Sequence, residues 1–232
     1  MSLFSADGFL FLLRWGHFLA GIMWIGLLWY FNFVQGAFFA ETDAATKNNA
    51  TSKLVPRALW WFRWGAMFTF LTGIIMITGF YHQTGGAYLE SPAFSLILLG
   101  ATMGILMFLN VWLVIWPKQQ IVIASTNAVL GGGQANPAAA AAGRRAFLAS
   151  RTNTLFSIPM LFFMGASRHL GLGPLGAGGM ILLLAIIFLV EANALVGTAG
   201  PTKQPIEKPP ALITSGFVLT AILYLLYEGL AG

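Results

Sequence analysis

The chain has 232 residues, of which 58% are hydrophobic and 8% are charged, and its formal net charge is +5. A soluble globular domain of this composition would precipitate, whereas the same proportions are ordinary for a protein embedded in lipid. The absence of cysteine excludes disulfides, thiolate metal sites, iron–sulfur clusters and covalently attached c-type haem.

Six apolar stretches predict transmembrane helices, because each has about 20 residues or more, the length that an α-helix needs to cross a bilayer. Their hydrophobicity is continuous rather than alternating, which excludes a transmembrane β-barrel. The sequence therefore predicts an all-α integral membrane bundle of six helices, with residues 1–232 forming a single membrane domain. The predicted spans are 8–33, 58–81, 93–117, 146–167, 175–197 and 210–230.

The connections between these spans are polar or rich in glycine, alanine and proline. Residues 41–53 predict a polar, partly helical loop, and the weakly amphipathic residues 118–130 are expected along the membrane interface. The glycines at 131–133 and the alanine run 138–142 predict a low-complexity linker before the fourth span. Residues 200–210, with four prolines, predict an extended connector.

The positive charges predict the orientation of the bundle. When the spans are numbered alternately, all lysines and arginines except Arg14 and Arg168 fall on one side. Loops rich in lysine and arginine stay in the cytoplasm, so both termini are expected on the outer side of the membrane, which is periplasmic if the membrane is a bacterial inner membrane. Anionic lipid headgroups account for the net positive charge, and no nucleic-acid partner is expected. The cytoplasmic set is Lys47, Lys53, Arg57, Arg63, Lys118, Arg144, Arg145, Arg151, Lys203 and Lys208.

All three histidines fall toward the opposite side, in or just beyond the outer half of the membrane. His17 lies within the first span, on one helical face with Arg14 and Gly21. An ionisable group at that depth usually faces a bundle interior, a cavity or a cofactor. Two interpretations stay open: His17 and His169 bind the iron of a haem b, for which Gly21 leaves room, or His17 hydrogen-bonds a neighbouring helix. His82 is a further candidate partner for His17.

A polar group is predicted in the cytoplasmic half of the bundle. Its members are Arg63, Asn110, Arg151, Asn153 and Glu191. Glu191 is a carboxylate well inside a span, where an unpaired charge is costly, so an ion pair with Arg63 or Arg151 is expected. The favoured interpretation is that these residues have a structural role. A proton path would use the same residues, but the other helices contain no chain of carboxylates to continue it. No catalytic residue can be assigned from the sequence.

Four segments resemble the membrane domain of bacterial urate hydroxylase of the PuuD type, in the urate oxidase N-terminal family. They are Arg14-Trp15-x-His17 with Gly21 to Gly26, Trp61 to Trp64 with Gly73, Asn110 to Gln119, and Asn153 to His169. Full-length members of that family have eight membrane helices followed by a cytochrome c domain. The resemblance implies a bacterial inner-membrane module that oxidises urate and passes electrons to cytochrome c. This chain is expected to be a short form with two fewer helices and no cytochrome c domain.

Two functions from different classes follow from these residues. One is a redox subunit, resembling the urate hydroxylase module, which holds haem b at His17 and His169 and passes electrons to a cytochrome c. The other is a non-catalytic accessory subunit of a larger membrane complex. Glu191-Ala192-Asn193 stands where the family usually has Arg-His-Tyr, which favours the second function, whereas the intramembrane His17 favours the first.

Overall fold

The computed structural model describes residues 2–231, and this part of the chain is helical without a single β-strand. Five helices are long and apolar enough to cross a membrane. They are α1 (Ala6–Glu41), α3 (Val55–Thr84), α4 (Pro92–Leu130), α6 (Ala177–Leu195) and α8 (Pro209–Leu230). The remaining helices are α2 (Ala44–Lys53), α5 (Ala139–His169) and the short α7 (Gln204–Glu207). The prediction of an all-α, multi-pass membrane bundle is confirmed.

Two of the predicted connections are part of longer helices. Residues 118–130 do not form a separate interfacial segment but continue α4. The alanine run 138–142 was predicted to be linker, and this was wrong from Ala139 onward, where α5 begins. Alanine has the highest intrinsic helix propensity, so a run of alanines ahead of an apolar stretch extends the helix toward its N-terminus.

Contacts at the helix ends define two faces of the bundle. Gln83, at the end of α3, donates to Asp7, at the start of α1, over 3.2 Å. We call this end, which also carries His82 and His169, the histidine face. At the other end, Arg145 in α5 donates to the carbonyl oxygen of Ala194, near the end of α6, over 2.9 Å. We call that end the arginine face.

The central helix is α5, which packs against α1, α4, α6 and α8. It contains the predicted span 146–167, yet it is not among the helices that are apolar enough to cross a membrane by composition. Its polar residues Thr152, Asn153, Thr154 and Ser157 are buried within the protein. Because these groups face other helices rather than lipid, average hydropathy does not describe the surroundings of α5.

A short π-helical segment interrupts α1 at Tyr30–Gln35 and α4 at Asn110–Ile115. Each segment places an asparagine against α5. The Nδ2 of Asn32 donates to the hydroxyl of Ser150 over 2.8 Å, and the Nδ2 of Asn110 donates to Oδ1 of Asn153 over 2.9 Å. Single π turns within α-helices are rare and frequently lie at functional sites, and here both carry an asparagine that contacts the central helix.

Candidate functional site

His17 lies where α1 packs against α3, and a hydrogen bond fixes its ring. Its Nδ1 is 3.0 Å from the hydroxyl oxygen of Thr72. That hydroxyl donates to the carbonyl oxygen of Phe68 over 2.6 Å, so it accepts from His17. The hydrogen of the neutral imidazole is therefore assigned to Nδ1, which leaves the lone pair of Nε2 free.

Two glycines shape the space around the His17 ring. A Cβ placed on Gly73 would lie 3.4 Å from Cε1 of His17, so α3 approaches the imidazole closely at this position. At Gly21, one turn along α1, nothing lies within 4 Å of the position that a Cβ would take. The ring is thus packed against α3 on one side, while the α1 surface at Gly21 stays open.

Two arginines from different helices lie close to one aromatic ring of α3. The Cζ atoms of Arg14 in α1 and Arg168 in α5 lie 5.8 Å and 4.8 Å from the centroid of Phe80. The ring of Tyr88, in the connection between α3 and α4, is 5.3 Å from that of Phe80. Burial raises the pKa of Tyr88, and the charges of Arg168 and Arg14 oppose that rise.

Arg14, Arg168, Phe80 and Tyr88 together form a positively charged, aromatic site. Within residues 2–231 the ion pair of Arg144 with Glu207 is the only one, so neither Arg14 nor Arg168 has a carboxylate partner there. The sequence singled out both arginines as exceptions to the charge pattern. It carried no signal for Thr72, Phe80 or Tyr88, whose roles depend on how three helices meet.

The other two histidines are exposed. His169 is the last residue of α5 and follows Arg168 directly, and His82 lies in the last turn of α3. His82 also lines an open groove of about 430 Å³ between α1 and α3, together with Leu10 and Gly79. Across the described residues, no group of three His, Asp or Glu side chains is arranged to hold a metal ion.

The predicted polar group is only partly assembled. Asn110 is its centre: Nδ2 donates to Oδ1 of Asn153 over 2.9 Å and to Oε2 of Glu191 over 3.1 Å. Asn153 in turn donates to the carbonyl oxygen of Met107 over 2.9 Å. The prediction of an arginine partner for Glu191 was wrong. Its carboxylate accepts a hydrogen bond from the side-chain amide of Asn110, and neither Arg63 nor Arg151 forms an ion pair with it.

Arg63 lies instead among tryptophans. Its Cζ is 3.9 Å from the ring centroid of Trp116, 5.2 Å from that of Trp112 and 5.9 Å from that of Trp64. Cation–π attraction is stronger when water is excluded, so these rings can stabilise a guanidinium without a carboxylate. Arg151 is buried at 7% exposure, with its Cζ 4.9 Å from the ring of Phe147.

The helices and these intramembrane polar contacts define the class: this is a multi-pass α-helical membrane protein. Residues 90–228 match the family described as urate oxidase N-terminal. The chain belongs to that family. The match covers α4 to α8 and includes the resembling segments at Asn110 and Asn153, whereas His17 precedes it. Comparison with curated proteins and with solved structures found no match.

Proposed function

We propose that the protein is a redox subunit of a bacterial inner membrane, related to the membrane module of urate hydroxylase, which binds haem b and passes electrons to a cytochrome c. Membership in the urate oxidase N-terminal family supports the lineage. The observation that carries the cofactor proposal is the hydrogen bond from His17 to Thr72.

The donor chemistry around His17 fits haem b. A histidine that binds a metal commonly donates its other ring N–H to a fixed acceptor, which sets the tautomer and the ring orientation. Thr72 supplies that acceptor, and Nε2 of His17 is left to bind iron. Arg14 and Arg168, without carboxylate partners, match the charge of the two haem propionates. When bound, haem b takes up and releases one electron at its iron.

The second proposed ligand is His169, which follows Arg168 at the end of α5. In this arrangement α1 supplies one imidazole and α5 the other, and the arginine beside each histidine faces Phe80. The proposal requires the exposed end of α5 to bring His169 to the iron. His82 serves as the comparison, because it is also exposed and lies in the last turn of α3.

We propose six spans with both termini in the periplasm. The sixth span is α5, whose 31 residues extend over about 46 Å at 1.5 Å per residue, enough to cross the hydrocarbon core. The arginine face then lies in the cytoplasm, as the distribution of lysine and arginine favours. Reporter fusions at the two ends of the chain test this orientation, and cytoplasmic termini would contradict it.

An absorption spectrum of the purified protein tests the cofactor. We expect a Soret band that is lost in His17→Ala, altered in His169→Ala and unchanged in His82→Ala, which serves as the matched control. A colourless wild-type protein purified from haem-supplemented cells would contradict haem binding. Urate oxidation requires a separate turnover assay with cytochrome c as acceptor, because haem binding does not establish the substrate.

A second candidate function is that of an accessory subunit in a larger membrane complex. The observation that favours it is the uncovered face of α1, where Phe11, Trp15, Phe18 and Ile22 are 54%, 57%, 61% and 71% exposed. These side chains fit lipid or the helix of another subunit equally well. A colourless protein that co-purifies in fixed stoichiometry with one membrane complex would support this function over the redox one.

A further inference from the structure

A cluster of basic side chains lies at the arginine face, where α5, the end of α6 and α7 meet. We define the Arg144 cluster as Arg144, Arg145, Arg151, Lys203 and Glu207, four cations and one carboxylate. Lys203 is 2% exposed, and the Nζ of Lys203 donates to Oδ1 of Asn193 and to the carbonyl oxygen of Val196, each over 2.9 Å. Burial lowers the pKa of Lys203, and the nearby charges of Arg145 and Arg144 lower it further. With four cations and one carboxylate, the cluster has an excess of positive charge.

The single carboxylate of the cluster is already engaged. Both oxygens of Glu207 accept from Arg144, one of them over 3.1 Å. Arg145 donates to the carbonyl oxygens of Ala194 and Leu195, each over 2.9 Å, and so caps the end of α6. These contacts account for Arg144 and Arg145, but they leave no acid for Arg151.

Arg151 is the cation of the cluster whose burial no hydrogen-bond partner explains. It is only 7% exposed, and its Nε and Nη1 are buried without a hydrogen-bond partner. A buried guanidinium without a hydrogen-bonded anion is strongly unfavourable, so the position favours binding of an anion. Glu207 lies close enough for the charge of Arg151 to help lower its pKa, although the hydrogen bond from Arg144 has the larger effect.

An apolar groove begins one helical turn from Arg151. It has a volume of about 260 Å³ and lies between α5, α6 and α8, lined by Leu155, Val190, Thr214, Ser215, Val218, Leu219 and Ile222. Leu155 follows Arg151 by four residues, which places it about 6 Å further along the same face of α5. Val218 and Ile222 are 51% and 45% exposed, so the groove opens toward the lipid.

We infer that the Arg144 cluster and this groove form one binding site for an anionic phospholipid. The phosphate group accepts from the guanidinium of Arg151 within the basic cluster, and one acyl chain lies in the groove beside Val218. Basic pockets between transmembrane helices are suited to anionic headgroups, because phosphate supplies the negative charge and the acceptor oxygens that Arg151 lacks. A soluble phosphate would satisfy the cluster but would leave the groove unused.

Thermal unfolding of the full chain in detergent, after removal of native lipid, tests the site. We expect phosphatidylglycerol to raise the melting temperature by about 5 °C when its concentration is well above the dissociation constant. Phosphatidylcholine and inorganic phosphate should each raise it by much less. An equal rise in melting temperature with inorganic phosphate alone would overturn the lipid proposal in favour of a soluble anion. An equal rise with phosphatidylcholine would overturn the proposal that binding depends on a net negative charge of the lipid.

Two variants and one control separate the parts of the site. Arg151→Met should melt at the same temperature as the wild type or higher without lipid, since it removes a buried unpaired charge, and it should lose the response to phosphatidylglycerol. Val218→Trp fills the groove from an exposed position and should lose the same response. Arg57→Met removes an exposed cation at the arginine face but outside the cluster, and this variant should keep the response to phosphatidylglycerol. A full lipid response in both Arg151→Met and Val218→Trp would overturn the proposal.

Discussion

The carboxylate of Glu191 in α6 accepts a hydrogen bond from the side-chain amide of Asn110 in α4 over 3.1 Å. Glu191 is 6% exposed and Asn110 is 2% exposed, so the contact is buried among helices. Asn110 also binds Asn153 of α5. Three helices are therefore joined through one amide, in the part of the bundle where an ion pair was expected.

Removing the Glu191 carboxylate should lower stability moderately. We expect Glu191→Ala to reduce the free energy of unfolding by about 1–3 kcal/mol, because Asn110 loses one acceptor but keeps its bond to Asn153. The measurement is thermal or denaturant unfolding in detergent. Glu228→Ala, at an exposed position on α8, is the control and should change stability by less than about 0.5 kcal/mol. Unchanged stability in Glu191→Ala would show that the carboxylate is not held by Asn110.

The contact between α4 and α5 should be sensitive to one methyl group at Gly100. A Cβ there would lie 3.2 Å from the carbonyl oxygen of Met160 and 3.3 Å from the amide nitrogen of Met164. Backbone atoms cannot move aside without shifting the helix, so Gly100→Ala should cost about 1–3 kcal/mol of stability.

Gly104 provides the matched control for this effect. A Cβ at Gly104 would meet only Sδ of Met160 at 3.5 Å and Cε of Met164 at 4.0 Å, which are ordinary contacts with flexible side chains. We expect Gly104→Ala to be neutral or stabilising, since alanine restricts the unfolded chain. Equal destabilisation by Gly100→Ala and Gly104→Ala in an unfolding experiment would contradict the close approach at Gly100.

The hydrogen bond between His17 and Thr72 should contribute to the packing of α1 on α3. Thr72→Val removes the acceptor hydroxyl while keeping a similar volume, and we expect a loss of about 1 kcal/mol in unfolding free energy. Thr78→Val on the same helix is the control, because the hydroxyl of Thr78 donates only to the carbonyl oxygen of Ile74 in its own helix. If the two variants unfold alike, the contact across the helices does not stabilise the pair.

The ion pair of Arg144 and Glu207 should make stability depend on pH. The hydrogen bond from Arg144 lowers the pKa of Glu207 in the folded protein, and burial partly opposes the shift. A lowered carboxyl pKa adds stability that is fully present above the unfolded pKa, about 4.5, and is lost as the pH falls through the folded value.

Melting temperatures of the wild type and of Glu207→Gln from pH 7 to pH 3 test this dependence. The wild type should be more stable at neutral pH, and the difference should shrink as Glu207 becomes protonated. Salt should reduce the difference as well, because both side chains are about one-third exposed. A difference that persists unchanged at pH 3 would contradict the role of the Glu207 charge.

Several features of the site could not be read from the sequence because they depend on pairs of residues far apart in the chain. His17 and Thr72 are separated by 55 positions, and Asn110 and Glu191 by 81. Arg63 was a reasonable partner for Glu191 by depth in the membrane alone. Its rotation about the axis of α3 instead turns it toward Trp112 and Trp116, and no periodicity in one helix specifies that rotation relative to another.

The membrane class and the approximate positions of the apolar helices followed from the sequence by itself, because lipid requires long apolar segments whose backbone groups are satisfied within each helix. The ends of α4 and α5 did not. The order of residues also located the histidines and arginines along those helices. Only the tertiary structure decided which polar groups meet, and it made α5, the least apolar of the long helices, the centre of the bundle. The reason is physical: burial against other helices, rather than against lipid, lets a helix carry Asn153 and Ser157 with hydrogen-bond partners.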